Sequence, residues 1–167
     1  MNKGKFRRRG MIAAAMSLLI AVCAAAFVLF PGKTLVLESA DTGDVYAAYP
    51  VRIKDTFGIR FIHSVNKTPV TDWYEIRKDG IYVVRTEYYG FGAGVQTQLE
   101  EGQELSYGED GSMIITGFDR RMDDLVYFVG TVSDHTLTLP GGEQVSLRDL
   151  CGKNAKVRIR LDQRRKR

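Results

Sequence analysis

The chain has 167 residues, a formal net charge of +4, two cysteines and two histidines. This length supports one domain of ordinary size. The net positive charge comes from the two ends. Residues 1–10 hold five basic residues, and residues 158–167 hold six basic and one acidic. The segment between them is net acidic, with 13 basic and 19 acidic residues. A nucleic-acid-binding domain carries its basic residues on a folded face, so we expect no nucleic acid as a partner.

The segment 11–30, MIAAAMSLLIAVCAAAFVLF, contains no charged side chain. Twenty residues of α-helix span roughly 30 Å, the thickness of the hydrocarbon core of a bilayer. The basic flank, residues 1–10, precedes this run, and such flanks stay in the cytoplasm. We therefore predict one transmembrane helix in the cytoplasmic membrane, with the N-terminus inside and the chain from Pro31 onward extracytoplasmic.

Two alternatives concern the fate of this segment. The run Ala24-Ala25-Ala26 offers a cleavage site of the A-x-A type, and cleavage would give a secreted domain. The apolar run continues to Phe30, however, and a signal core is only about 7–15 residues long, which favours an uncleaved anchor. Cys23 loosely matches a lipoprotein box, but Val22 is large where a small residue is expected.

The cysteines and histidines predict neither a disulfide nor a metal site. Cys23 lies in the apolar run and Cys151 in the body, and a residue inside the bilayer cannot readily reach a domain outside it. Neither histidine has a neighbouring cysteine at a zinc-ligand spacing. We predict no metal, no cofactor and no catalytic residue.

The body, residues 31–161, consists of short strand-like runs separated by turn signals. About eight to nine short strands with a turn every 8–12 residues are typical of an antiparallel β-sandwich or barrel, so the predicted class is all-β. Pro50 favours an edge strand or a bulge. The runs 112–118 and 125–132 are apolar on both faces, as central strands are, and 96–106 is the best helix candidate.

Two hairpins allow the strand register to be predicted. Asp79-Gly80 is typical of a two-residue type I′ turn, which would place Glu75 opposite Val84. The second hairpin joins 135–139 to a strand at 144–150. A three-residue loop, Gly141-Gly142-Glu143, would place apolar residues opposite one another on one face, and we favour it because a one-residue slip would move every side chain to the other face.

The strand 57–65 carries the most suggestive polar residues. Alternation places His63 on the face of the apolar Phe57 and Phe61, and Ser64 on the opposite face. Adjacent strand residues cannot share a face, so His63 cannot activate Ser64 as a nucleophile.

Glu75 lies on a partly apolar face and needs a partner there. We considered a pair between His63 and Glu75 as a structural lock, as part of a ligand-facing site, or as a general acid–base pair. The turn 66–69 contains Lys67 and Thr68, and the glycine loop 90–94 follows Tyr89. The candidate residues for binding a ligand or partner are His63, Ser64, Lys67, Thr68, Glu75, Tyr89, Gly92 and Gly94.

Three motifs, IRFIHSVNKTPVTDWYEI, YYGFGAG and VGTVSDHTLTLPGG, resemble the bacterial domain-of-unknown-function family 1850 over roughly residues 57–160. The resemblance implies a small secreted or anchored protein, often encoded beside the fused membrane subunits of TRAP-type transporters of the TAXI class. It transfers no catalytic role. The positions that match the family pattern are His63, Ser64, Lys67, Thr68, Pro69, Val70, Glu75, Gly92 and Gly94.

These observations favour a membrane-anchored, non-enzymatic accessory of a solute uptake system. Its expected partner is a TRAP transporter membrane subunit or a solute-binding protein. The alternatives are a structural cell-envelope protein and an extracytoplasmic hydrolase. The basic tail, residues 162–167, is either solvated or in contact with anionic lipid headgroups.

Overall fold

The computed structural model describes residues 32–90 and 98–163. The predicted anchor, the basic flank before it, Cys23, Gly92, Gly94 and most of the basic tail lie outside the described residues. No helix in the described ranges is long and apolar enough to cross a membrane. The elements are β1 (Lys33–Ser39), β2 (Val45–Val51), β3 (Thr56–Ile62), β4 (Pro69–Ile76), β5 (Ile81–Tyr88), β6 (Glu104–Tyr107), β7 (Met113–Arg121), β8 (Leu125–Phe128), β9 (Thr136–Thr138), β10 (Gln144–Ser146), α1 (Leu147–Cys151) and β11 (Lys156–Gln163).

The strands form two antiparallel sheets, which confirms the all-β class. One sheet has the order β2-β1-β11-β8, and the other has the order β10-β9-β3-β4-β5-β7-β6. The described residues contain eleven strands rather than eight or nine, because short strands such as β6 lie in stretches that carry no clear strand signal. Pro50 lies in β2 at the edge of the smaller sheet, as predicted.

The hydrophobic core lies between the sheets and follows the two-residue alternation of β-strands. Phe57, Ile59 and Tyr74 belong to the larger sheet, and Leu35 and Ile159 to the smaller one; each is at most 3% exposed. Phe57 and Tyr74 stack with ring centroids 5.2 Å apart. Leu147, on α1, is fully buried and extends the core at its side.

Two predicted assignments are wrong. The run 125–132 forms an edge strand of only four residues rather than a central one, and Phe128 and Val132 are 66% and 90% exposed. The predicted helix at 96–106 ends in strand β6, and its described residues contain no helical turn. Gly102, with φ of 85°, adopts a conformation that an α-helix cannot contain.

The first hairpin turns one residue earlier than predicted. Arg77 N–H donates to the Gly80 carbonyl, so the two loop residues are Lys78 and Asp79. Glu75 consequently lies opposite Tyr82, not Val84. The prediction treated Asp79-Gly80 as the loop itself, whereas Gly80 already pairs with Arg77, one residue before β5 begins.

The second hairpin has the predicted loop length but a different position. Leu139 N–H donates to the Glu143 carbonyl, which makes 140–142 the loop, and Val145 lies opposite Leu137. The apolar pairing on one face is therefore retained. The strand ends at Ser146 because the Ser146 hydroxyl caps helix α1, so the predicted strand at 144–150 is wrong in its second half.

The outer face of the larger sheet is covered by its own side chains. The Trp73 ring lies over Gly58, where a Cβ would come within 3.1 Å of the ring. The Arg85 guanidinium stacks on the same ring, 4.8 Å from its centroid, and forms an ion pair with Glu87 at 2.8 Å. The Arg85 guanidinium thus covers part of this aromatic ring.

The described chain begins and ends at one end of the sandwich. Lys33 lies opposite Gln163 in the smaller sheet, and the Lys33 ammonium donates to the Lys78 carbonyl in the β4–β5 turn. We call this the proximal end. The opposite, distal end carries the β3–β4 turn, the end of β5 and the β8–β9 loop.

Candidate functional site

The strand registers bring most of the predicted site residues to the distal end. Ile62 lies opposite Pro69 at the end of β3, and Tyr88 lies opposite Val70 at the end of β5. The turn that follows Ile62 and the residue that follows Tyr88, Tyr89, therefore lie at the same end of the sheet. We define the distal surface by five residues of these segments: Ile62, His63, Val65, Lys67 and Tyr89.

His63 organises the β3–β4 turn rather than packing in the core. Strand β3 ends before it, which corrects the prediction that His63 points with the apolar face. Its N–H donates to the Thr68 carbonyl at 2.9 Å, and its Nδ1 accepts hydrogen bonds from the N–H groups of Val65 and Asn66, each at 3.3 Å. His63 therefore caps the turn, because its one acceptor nitrogen binds two backbone N–H groups.

Lys67 completes this turn from the left-handed region of backbone space. Its φ is 56°, and its N–H donates to the His63 carbonyl at 3.0 Å. Ser64 and Lys67 are exposed, and Thr68 is half-buried. The buried side-chain nitrogen of Asn66 has no hydrogen-bond partner among the described residues. The turn therefore holds the Lys67 ammonium outward on a fixed backbone.

Glu75 does not belong to the distal surface. It lies opposite Thr56 at the start of β3, whereas His63 follows the end of that strand. At about 3.3 Å per residue the two side chains are roughly 20 Å apart, so the hypothesised pair with His63 is wrong. Glu75 instead accepts a hydrogen bond from Arg77 at 2.6 Å.

Tyr89 is 38% exposed and donates a hydrogen bond to the Asp110 carboxylate in the β6–β7 turn. Hydrogen bonds from Ser112 and then from Tyr89 lower the pKa of Asp110 to about 2. The Tyr89 side chain is thus held against the β6–β7 turn. Gly90 follows it with a φ of 138°, at the start of the glycine loop.

A buried polar cluster, which the sequence did not predict, lies between the two sheets. Asp72 accepts hydrogen bonds from Thr86 at 2.8 Å and from Tyr127 at 3.2 Å, and the hydroxyls of Tyr74 and Tyr127 are 2.6 Å apart. Burial raises the pKa of Asp72, while the hydrogen bonds from Thr86 and Tyr127 and the charge of Arg120 oppose that rise. The only feature of the sequence that could have indicated this cluster is the carboxylate of Asp72, at an inward-facing position of β4.

His135 lies beside this cluster, between two aromatic rings. It stacks on Phe61 with centroids 5.4 Å apart and meets Tyr127 edge-on at 5.8 Å. Its Nδ1 accepts a hydrogen bond from the Gly130 N–H at 3.3 Å. Burial lowers the pKa of His135, so the neutral imidazole is favoured in the fold. The sequence placed this residue in a strand and gave no indication of its role.

The β8–β9 loop is held by a second set of polar contacts. Asp134 accepts hydrogen bonds from the Ser146 hydroxyl and from the Arg148 N–H at 3.0 Å, and Arg148 reaches back to the Gly130 carbonyl at 3.2 Å. These bonds tie the loop to helix α1. The loop is therefore a fixed wall of the distal end.

These contacts give the polar residues structural roles. Asp72, Asp134 and Asp110 each accept hydrogen bonds that hold neighbouring strands or turns together, and His135 accepts one from the Gly130 N–H. Within residues 32–90 and 98–163, no group of three or more histidine, cysteine, aspartate or glutamate side chains is placed to hold a metal ion. The arrangement presents a rigid surface.

A protein-family model, domain of unknown function (DUF1850), matches residues 57–147. This range contains the distal surface and every residue of the buried polar cluster. No curated protein and no solved structure matches the chain.

Proposed function

Because the chain belongs to the DUF1850 family, we propose that it is a non-enzymatic interaction module whose distal surface binds a protein partner. The module is an extracytoplasmic accessory, anchored in the cytoplasmic membrane by residues 11–30, of a TRAP-type solute uptake system of the TAXI class. Its partner is the transporter membrane subunit or the solute-binding protein. The charge pattern of residues 1–30 and the family resemblance support the location and the partner class.

One observation carries the assignment of the surface. Ile62, Val65 and Tyr89, three apolar or aromatic side chains, are 38%, 64% and 38% exposed. Ile62 ends strand β3, Val65 lies in the hydrogen-bonded β3–β4 turn, and the Tyr89 hydroxyl is held by Asp110. Exposed apolar side chains that are grouped and held rigidly mark interaction surfaces, since little entropy is lost when a partner covers them. Lys67 adds a charge at the rim.

The proximal location of the chain ends supports the same assignment. Lys33 and Gln163 lie at the opposite end of the domain from the distal surface. The distal surface is therefore separated along the strands from the residues at which the domain begins and ends.

The test of this proposal is a membrane pull-down with two matched variants. Val65→Asp places a carboxylate in the centre of the distal surface, and Ile53→Asp places one at an equally apolar position, 53% exposed, in the β2–β3 turn at the proximal end. Wild type and Ile53→Asp should recover a transporter membrane subunit or a solute-binding protein, and Val65→Asp should lose it. Equal recovery by both variants would remove the distal surface from the proposal.

A second experiment tests the location. Protease added to intact spheroplasts should digest the body of the full-length protein, because residues 31–161 are proposed to lie outside the membrane. Protection of the body would overturn the proposed topology. Recovery of only cell-wall material in the pull-down would instead favour a structural envelope protein.

A further inference from the structure

A cleft on the outer face of the larger sheet, at its proximal half, has no part in the proposed function. It has a volume of about 340 Å³, at the small end of the range for ligand sites. The residues that line it come from the β2–β3 turn and the start of β3, from the centre of β4, and from the end of β9 and the β9–β10 turn: Lys54, Asp55, Thr56, Trp73, Thr138, Leu139, Pro140, Gly141 and Gly142.

Lys54 lies at the rim of this cleft, in a turn whose backbone is held by hydrogen bonds. Its φ is 74°, unusual for a residue other than glycine. Hydrogen bonds hold the turn to the end of β4: Lys54 N–H donates to the Ile76 carbonyl at 2.8 Å, and Ile76 N–H donates to the Asp55 carbonyl at 2.9 Å. The Asp55 carboxylate is itself engaged with the Arg52 N–H at 2.7 Å. Strained backbone fixed in this way recurs at ligand clamps.

The charge of Lys54 is left available by these contacts. Its ammonium takes part in no ion pair within the described part of the chain, whereas Arg77 and Arg85 on the same sheet face are both paired with carboxylates. An exposed ammonium beside a concave surface favours an anionic group, and a carboxylate is matched by a charge-assisted hydrogen bond. The anionic part of a ligand therefore belongs at this rim.

The remaining walls provide hydroxyl and apolar contacts. Thr56 and Thr138 project from neighbouring strands on the outer face, and their hydroxyls can exchange hydrogen bonds with a ligand. Trp73 and Pro140 provide apolar carbon. The tip of the β9–β10 turn is Gly141-Gly142, with φ of 98° and 93°, and it places no side chain across the cleft mouth.

We propose that this cleft binds a small hydroxylated carboxylic acid that carries an apolar carbon chain. Lys54 binds the carboxylate, Thr56 and Thr138 bind the hydroxyl, and Trp73 and Pro140 contact the carbon chain. The volume accommodates a free small acid. This site is separate from the distal surface, so its failure would leave the proposed partner binding unaffected.

Trp73 is the only tryptophan in the chain, and its fluorescence therefore reports on this cleft alone. Full-length protein in detergent is titrated with 2-hydroxyisocaproate, its neutral amide and lactate. The fluorescence should saturate with 2-hydroxyisocaproate, and binding should be weaker for lactate, which lacks the longer chain, and weakest for the amide. No saturation with 2-hydroxyisocaproate at tens of millimolar, or equal binding of the amide, would overturn the proposal.

A matched pair of lysine variants tests the role of charge. Lys54 and Lys67 both have positive φ on hairpin-like turns, where asparagine is well tolerated. Lys54→Asn should weaken 2-hydroxyisocaproate binding by about tenfold or more, since a hydrogen bond to a charged group is lost. Lys67→Asn, at the distal end, should leave it unchanged. Equal losses in the two variants would contradict the assignment.

Thr138→Val keeps the shape of the strand side chain and serves as the second variant. It should weaken binding of the hydroxy acid while leaving the affinity for isocaproate, which lacks the hydroxyl, unchanged. Equal weakening of both acids would contradict the hydroxyl contact. Urea denaturation of each variant establishes that it is folded.

Discussion

The hydroxyls of Tyr74 and Tyr127 lie 2.6 Å apart, one contributed by each of the two sheets. Tyr127 also donates to the Asp72 carboxylate, so Tyr74 donates to Tyr127 and the three groups form one chain of hydrogen bonds. A sandwich core is otherwise held by non-directional packing. This chain fixes one relative position of the sheets, because each polar group is satisfied only in that position.

Tyr127→Phe should lower the free energy of unfolding by about 1–3 kcal/mol, because it leaves the buried Tyr74 hydroxyl and one Asp72 oxygen without that partner. Urea denaturation measures the loss. Tyr107→Phe is the control, since Tyr107 is 68% exposed, and it should change stability by less than about 0.5 kcal/mol. An equally small effect of Tyr127→Phe would show that the chain of hydrogen bonds contributes nothing.

His135 should make the domain less stable in mild acid. Burial lowers the pKa of its imidazole below the ordinary value of 6.5. The associated stability is therefore present above the unfolded-state pKa and is lost as the pH falls through the folded-state pKa. Asp72 acts in the opposite sense, because burial raises its pKa and its contribution falls as the pH rises.

The contribution of His135 is isolated by comparison with His135→Asn, which retains an acceptor for the Gly130 N–H but does not titrate. Between about pH 7.5 and about pH 5.5, the wild type should lose more unfolding free energy than this variant. His63→Asn makes the same substitution at the other histidine, whose Nδ1 is likewise a backbone acceptor, and controls for the change from imidazole to amide. An identical pH dependence of the wild type and His135→Asn would refute the prediction.

Ser146→Ala should lower the free energy of unfolding by about 1–2 kcal/mol, because the Ser146 hydroxyl makes two hydrogen bonds that alanine cannot make. The hydroxyl accepts the Asp149 N–H at 3.0 Å as the N-cap of α1, and it donates to Asp134 in the β8–β9 loop. Thermal denaturation measures the effect. Ser106→Ala, on the exposed face of β6, should have little effect, and a similar melting temperature for both variants would argue against the cap.

Two glycines with nearly the same φ separate backbone strain from steric conflict. Gly117 has a φ of 81°, and a Cβ there would lie 2.0 Å from the Gly102 carbonyl oxygen; Gly43 has a φ of 80° and open space around it. Gly43→Ala should cost about 1 kcal/mol of unfolding free energy from strain alone. Gly117→Ala should cost more by about 1–3 kcal/mol, because backbone must move. Equal losses in urea denaturation would show that the close approach is unimportant.

The fold class and the inner faces of the strands could be predicted because they depend on local alternation. Phe57 and Ile59 point into the core as their spacing indicates. The registers could not be predicted, because a bulge between β4 and β5 and the choice of loop residues are set by tertiary packing. Helix α1 was missed because its five residues are too few to show a helical period.

The candidate site was predicted only in part. The turn chemistry of residues 66–69 predicted a turn there, and the structure has Lys67 and Thr68 in a turn that is hydrogen-bonded to His63. The pairing of His63 with Glu75 failed because antiparallel strands separate residues that lie at opposite ends of neighbouring strands. His135 was overlooked since its partners, Phe61 and Tyr127, come from other strands, and one sequence contains no information on such distant contacts.

The pairing of Lys33 with Gln163 has a practical consequence. Opposed residues of an antiparallel pair have Cα atoms about 5 Å apart, so a linker of a few glycines can join the two ends of the domain. A circular permutant that opens in the β9–β10 turn would keep every strand of both sheets. Immobilising the domain on a sensor chip through either terminus should leave the distal surface facing the solution.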